Sequence, residues 1–566
     1  LSLTSSSPAI KNGLPLSRHL KAIWQRMSWP MFSAWLIAFI FVMPVLALVF
    51  SALQPDEAIF SHLFDTVLFD YIYNTFILVV LVSLFSLAFG VPSAWLMAMC
   101  DFKFKRFFSW ALILPLAMPA YVVAYIYTDL FDYAGPIQIS LRDWFGWQSP
   151  NDYWFFDIRS LGGAAVVLAL VLFPYVYLLM RSAFANISKE QLQASRILGD
   201  SAWRSFLRIQ LPQSRGLMIA ALALVGMETL ADFATVHYFA VNTLTTAVYD
   251  TWLGYYSLPA AAKISVFMLV FVFVLLGMEK YQRRKQAVYS RSDTFSDNKP
   301  IALTGKRAWL AIGYCSLLFI AGFLLPFAIL IEYAFSYFDE AWNDSFITYS
   351  WHTLLMALGV AVICVIISCY VNLTARAQSH CQSHQIPGHL LSLGYALPGT
   401  VLAIAVLIPM SFIEHQINDY FALWFDWQPG LFLSGTVTVI IFAYCVRFIA
   451  ICIGATREGL AKISPNLDAA SLSMGVGPKR TAMKIHLPLL TKVMLTSGLL
   501  VFIEAMKELP AALLLRPFGF ETLATYVYQY VSDEMLEQAS LAAIVIVLVG
   551  LIPLIFVNRN MESRKA

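Results

Sequence analysis

Charge is what this chain has least of. Lys, Arg, Asp and Glu make up 13% of its 566 residues, where soluble globular proteins carry about 25%. Apolar residues make up 60%, and the mean hydropathy is +0.71. That balance excludes an ordinary soluble domain. Cysteine is also sparse: Cys100, Cys315, Cys364, Cys369, Cys381, Cys445 and Cys452 fall in apolar runs or in loops assigned below to the cytoplasm, so none is placed for an oxidised disulfide. The phosphate-cradling pattern G-x-x-x-x-G-K-[ST] is missing, and the nearest glycine cluster is Gly475-Val476-Gly477-Pro478-Lys479. The chain therefore cannot hold ATP in the usual way. It shows no Ser/His/Asp constellation and no H-E-x-x-H, so it is not read as an enzyme and no cofactor is assigned to it. His380-Cys381 with His384 reads as a soluble turn, and no metal site is assigned.

What fills the chain is apolar runs long enough to cross a bilayer, which needs about 20 residues of helix. They centre on 31–52, 72–98, 108–129, 161–180, 215–236 and 262–278, then on 308–333, 352–374, 388–412, 432–454, 489–510 and 538–557. Six plus six spans are expected. The segments between them alternate in charge. Lys103, Lys105 and Arg106 fall between the second and third runs, and the linker carries Lys280, Arg283, Arg284, Lys285, Arg291, Lys299, Lys306 and Arg307. The segments 53–71, 334–351 and 413–431 carry acids and no Lys or Arg. The positive-inside rule puts both termini and the linker in the cytoplasm. With no small-residue cleavage site evident, the first apolar run reads as a retained span. The expected organisation is a first unit over 1–278, a flexible cytoplasmic linker over 279–307 and a second unit over 308–566, the halves being parallel repeats.

A repeat supports that division. Residues 181–212 read RSAFANISKEQLQASRILGDSAWRSFLRIQLP, and residues 457–488, 276 positions on, read REGLAKISPNLDAASLSMGVGPKRTAMKIHLP. Eleven of the 32 positions are identical without a gap, against roughly two by chance. They include Ala194/Ala470, Ser195/Ser471, Gly199/Gly475, Leu211/Leu487 and Pro212/Pro488. Small residues let a helix lie close to a partner, glycine permits a turn that a β-carbon resists, and proline suits the start of the next helix. Ala117-Met118-Pro119 and Ala396-Leu397-Pro398 also correspond, as do Thr243–Tyr249 and Thr522–Tyr528. Each proline is expected to kink a span, for packing or to line a path.

This spacing resembles the EAA loop in the membrane subunits of binding-protein-dependent ABC importers. The motif's acidic position falls here on Gln193 and Ala469, with Asp468 one place early. The resemblance implies an all-α integral membrane protein of the type I importer permease fold, whose ten matched residues named above dock two copies of an ABC ATPase. ATP and Mg would be held there and not in this chain. The blocks METLADFATVHYFAVNTLTTAVYDTW and LLLRPFGFETLAT resemble permeases of ferric-iron importers. That implies a periplasmic ferric-binding protein as partner and a multi-pass location in a bacterial inner membrane. Thiamine, phosphonate and polyamine permeases share the fold and are the alternatives, with a secondary transporter as a rival class. No nucleic-acid partner is expected.

Intramembrane acids are the sharpest local signal. Glu228 and Asp232 recur as Glu504 and Glu508 at the same offset of 276. Each pair is spaced i, i+4 and reads as one face of one helix. Glu228 lies about 24 Å along that helix from Pro212, past the midplane. Such acids line a pathway or form structural ion pairs, and Lys507 is the evident partner.

Overall fold

The computed structural model describes residues 29–55, 58–187, 189–286, 301–378 and 383–563. Apolar composition and the need to satisfy every backbone group inside lipid lead to helices. In the first half these are α1 (Trp29–Ala52), α2 (Leu68–Met99), α3 (Ala120–Phe131), α4 (Leu161–Ala185), α5 (Lys189–Ile197), α6 (Leu211–Ala231), α7 (Leu244–Leu253) and α8 (Leu258–Gln286). The second half repeats the order as α9 (Lys306–Ser336), α10 (Asp344–Ala377), α11 (Gly399–Phe425), α12 (Val437–Ala461), α13 (Pro465–Ser473), α14 (Leu487–Lys507), α15 (Leu523–Ser532) and α16 (Ser540–Ser563). Among the described residues the only strands are Cys100–Asp101 and Ile301–Ala302, which pair in parallel. They return the end of the linker to the first half, and α8 runs on into the linker as far as Gln286. Residues 287–300, and with them most of the expected tether, lie outside the described residues, as do His380 and Cys381.

The expected twelve spans become ten membrane-length apolar helices among the described residues, or eleven when a bent pair is counted as one span. The bent pair is the third run, where Lys105–Ala117 and Ala120–Phe145 meet at 94°. Leu114–Ala117 is a 3-10 turn, Met118 is extended (ψ 129°), and Pro119 stands just before α3. The second half has the same break: a 3-10 turn at Ser392–Ala396, Leu397 extended (ψ 127°), and Pro398 before α11. The prolines break these spans instead of kinking them: the residue before each is extended, the conformation that proline favours for its predecessor. The run read as 388–412 is consequently a helix over Gly399–Phe425. The last run contributes a shorter apolar helix, Leu536–Ile552.

The first helix of each half belongs spatially to the other. α1 packs on α11, Phe41 stands edge-on to Phe442 of α12 at 5.7 Å, and Tyr370 of α10 donates to the Pro30 carbonyl at 3.3 Å. α9 lies on the first half, where Tyr314 donates to the Ala88 carbonyl at 2.8 Å and Tyr333 to Asp129 at 2.8 Å. Its buried stripe gives α1 a narrow contact face, Met31, Ala34, Ala38 and Phe41, and small residues there allow close approach within lipid. One apolar core therefore joins α2 and α4 to α9, α15 and α16, and a second joins α1 and α8 to α10, α11 and α12.

Candidate functional site

The repeated loops adopt one geometry. α5 and α13 are nine residues each. Gly199 (φ +89°) and Gly475 (φ +73°) then take the left-handed conformation, which costs glycine nothing. Ala194 and Ala470 are exposed, while Ser195 and Ser471 turn inward. Ser195 donates to Asp200 at 3.1 Å, and Ser471 shares a 2.5 Å hydrogen bond with Thr481. Apolar side chains project outward beside the glycines: Leu198 is 84% exposed and its counterpart Met474 74%, flanked by Ile197 and Trp203 in the first loop and Leu472 in the second. Leu211 and Leu487 are half-buried, and Pro212 and Pro488 are exposed. The prolines stand at the second position of α6 and α14, near the helix start as expected, but helical backbone also continues upstream of them. The helical runs are continuous over Trp203–Ala231 and Pro478–Lys507, and a π turn, Phe206–Gln210 or Ala482–His486, precedes each proline. A wider turn relieves the clash between a proline ring and the carbonyl four residues back.

The loops are anchored differently. Asp468 of α13 accepts from Arg376 at 2.8 Å and pairs with His486 at 2.7 Å, and Arg376 also donates to the Ile463 carbonyl at 3.0 Å. Leu192 stands at the equivalent position in α5. There the loop is closed by Asp200, which meets Arg208 at 3.3 Å.

The intramembrane acids do not share a helix face. α6 ends at Ala231 and α14 at Lys507, so Asp232 (ψ 126°) and Glu508 (ψ 120°) sit in the breaks that follow. Asp232 caps the next turn, accepting from the Thr235 amide at 3.0 Å and its hydroxyl at 2.9 Å. Glu508 faces Arg447 at 3.3 Å, and its carbonyl accepts from Tyr444 at 2.9 Å. The direct ion pair thus falls on Arg447, a residue passed over in the middle of an apolar run. Lys507, the expected partner, has no carboxylate within 4.0 Å among the described residues. Its ammonium and the Ala117 carbonyl of the first half both crowd the place where a β-carbon on Gly550 would stand, at 2.6 and 3.1 Å.

Glu228 lies within electrostatic reach of Glu504, Arg447 and Glu508, and Tyr175 within reach of Glu228, Glu504 and Tyr395. Glu228 and Tyr175 belong to the first half and the rest to the second, so the cluster spans the boundary between halves. Glu504 and Tyr395 are exposed although Glu508 beside them is buried. The halves also meet farther along the chain, beyond the helix breaks. Tyr528 shares a 2.8 Å hydrogen bond with His237, and its ring packs on Tyr121 at 5.9 Å and Phe233 at 6.0 Å. Tyr125 donates to Glu537 at 3.0 Å, and Arg159 pairs with Glu534 at 2.5 Å.

Comparison with known proteins adds the following. A family profile described as binding-protein-dependent transport system inner membrane component matches residues 90–287 and 388–566. The Fe(3+)-transport system permease protein FbpB 2 of Haemophilus influenzae is 24% identical over 86% of this chain and 89% of its own length. The molybdenum transport system permease protein ModB of Escherichia coli (strain K12) is 28% identical over 36% of this chain and 87% of its own. The molybdate/tungstate transport system permease protein WtpB of Methanocaldococcus jannaschii is 25% identical over 43% and 92%. Less than half of this chain is enough to cover nearly all of either of the last two, as a tandem duplication requires.

Proposed function

The chain belongs to the family of binding-protein-dependent transport system inner membrane components, and on that premise we propose that it conducts ferric iron between its two halves. It is the multi-pass inner-membrane permease subunit of an ABC importer, and ATP hydrolysis belongs to a partner. In this reading a periplasmic ferric-binding protein delivers the ion and two copies of the ATPase dock on α5 and α13. The exposed apolar pair Leu198 and Met474 would enter the ATPase surface. Closure of the ATPase pair would move the two loops together and part the contact of Tyr528 with Tyr121, Phe233 and His237.

The observation that carries the choice of cargo is the acid cluster. Glu228, Glu504 and Glu508 gather with Arg447 and Lys507 at the boundary between halves, and Asp232 lies within electrostatic reach of Glu228. Trivalent iron is hard and takes oxygen ligands, and a weak stop on the way through favours release. A second reading, an oxyanion cargo, draws on Lys507 and on the likeness to ModB and WtpB. Uptake of radioactive iron into proteoliposomes containing the full complex separates the two. Glu228→Gln with Glu504→Gln is expected to lower iron uptake by about tenfold or more, a loss of at least 1.4 kcal/mol of transition-state stabilisation, with basal ATPase activity retained. Undiminished iron uptake would remove these acids from the path, and molybdate uptake in place of iron would establish the oxyanion reading.

A further inference from the structure

Arg181 and Arg457 are one of the identical pairs of the repeat, but their surroundings have diverged. Arg181 donates to the Ser109 carbonyl at 3.2 Å and to the Tyr177 hydroxyl at 3.0 Å, and its guanidinium lies 5.8 Å from the Tyr177 ring. In the second half the place of Tyr177 is taken by Ile453, at the offset of 276, and that of Ser109 by Gly388, at the offset of 279 shared by the proline breaks. Among the described residues Arg457 has neither a hydrogen bond nor an ion pair. It occupies the space Gly388 leaves open: a β-carbon there would stand 2.9 Å from its Nη2.

A cavity of about 200 Å³ opens at this point, its polar side formed by Asn372, Arg376, His384, Gln385 and Arg457 beside Gly388 and the rest of its lining apolar. At about 30 Å³ per water it has room for about seven waters, enough for a tetrahedral oxyanion. Arg376 is fixed in place by Asp468 and by the carbonyls of Leu460 and Ile463. Asp468, the acid that reaches this lining, is taken up by Arg376 and His486. Among the described residues, therefore, one guanidinium lines the cavity with no carboxylate within 4.0 Å.

We propose that this cavity, between α10, α12 and the segment before α11, binds a phosphate group at the cytoplasmic surface. A guanidinium fork matches two oxygens of such a group. The site lies at the cytoplasmic end of the spans, so the phosphate is either inorganic phosphate or the headgroup of an anionic phospholipid. Arg376 also holds Asp468, so occupancy is transmitted to α13. That consequence, unlike the binding itself, rests on the docking role given to α13 above.

The test uses the full chain in two arms. In detergent, inorganic phosphate is titrated against thermal unfolding, with chloride at equal ionic strength as the reference. In nanodiscs, phosphatidylglycerol is compared with phosphatidylcholine. Saturable stabilisation by phosphate identifies the free anion, and stabilisation by phosphatidylglycerol alone identifies the lipid. Arg457→Gln is expected to weaken the effect about 10- to 100-fold, as for loss of a charge-assisted hydrogen bond. Gly388→Ala should weaken it too, by displacing the guanidinium with its charge intact, which guards against a misfolded Gln variant. No stabilisation by either probe, or equal stabilisation of wild type and both variants, overturns the proposal. Because no step of the test involves transport, its outcome is independent of the cargo.

Discussion

Arg447 and Glu508 illustrate how single residues are constrained here. Their side chains keep only 15% and 6% of their surface, so removing one partner leaves a charge stranded. Arg447→Met is expected to destabilise the protein by about 3 kcal/mol or more, whereas Arg447→Met with Glu508→Gln should recover most of that loss. Thermal unfolding of the purified chain reads both. Lys507→Met should be milder, since no carboxylate lies within 4.0 Å of the ammonium among the described residues. Equal losses for Arg447→Met and Lys507→Met would contradict the pairing seen in the structure. The sequence displayed the acids but hid their partner: the charge that pairs with Glu508 lies 61 positions away on α12, and only packing brings the two together.

At the scale of elements, the repeated loops couple a fixed backbone turn to an exposed apolar side chain. Gly199→Val and Gly475→Val place a branched residue at positive φ, at about 1–2 kcal/mol each, and neither site has an atom within 4 Å of the new β-carbon. The spans should fold normally and the turn should be misdirected. The expected result is loss of ATPase co-purification and of uptake, with the thermal stability of the isolated permease nearly unchanged. Leu198→Asp and Met474→Asp should weaken ATPase association with the backbone intact. Full ATPase retention in all four variants would remove the docking role from α5 and α13. The α13 loop, tied through Asp468 to Arg376 and His486, should tolerate its glycine substitution better than the α5 loop, where the tie is the surface pair of Asp200 and Arg208.

For the whole molecule, the exchange of first helices makes each half depend on the other. A chain divided between Gln286 and Ile301 is expected to reassemble when both pieces are co-expressed, and each piece alone should be poorly stable. Piece 1–286 alone would leave α1 without α11, and piece 301–566 alone would leave α9 without the first half. Co-purification through a tag on one piece measures this. A first piece as stable alone as in the pair would show that α1 can pack within its own half, against the arrangement seen here.

The sequence by itself determined the class and the duplication. Apolar runs of bilayer length, the alternation of basic segments and the matched loops need no tertiary contact to be read, because each is local or is a comparison of the chain with itself. It also marked the left-handed glycines and the prolines that interrupt two spans. Tertiary structure decided the rest. Whether Pro119 and Pro398 kink or break a span depends on what receives the freed chain. Whether Asp232 and Glu508 continue a helix face depends on the short turns they go on to cap, which pack mainly on α3 and α4 in the first half and on α11 and α12 in the second. Which half α1 and α9 serve could not be read from their narrow buried stripes, since an apolar helix in lipid carries no long-range signal of its neighbour. The unpartnered state of Arg457 arose the same way: its residue type repeats that of Arg181, and only the replacement of Tyr177 and Ser109 by Ile453 and Gly388, seen in three dimensions, sets the two arginines apart.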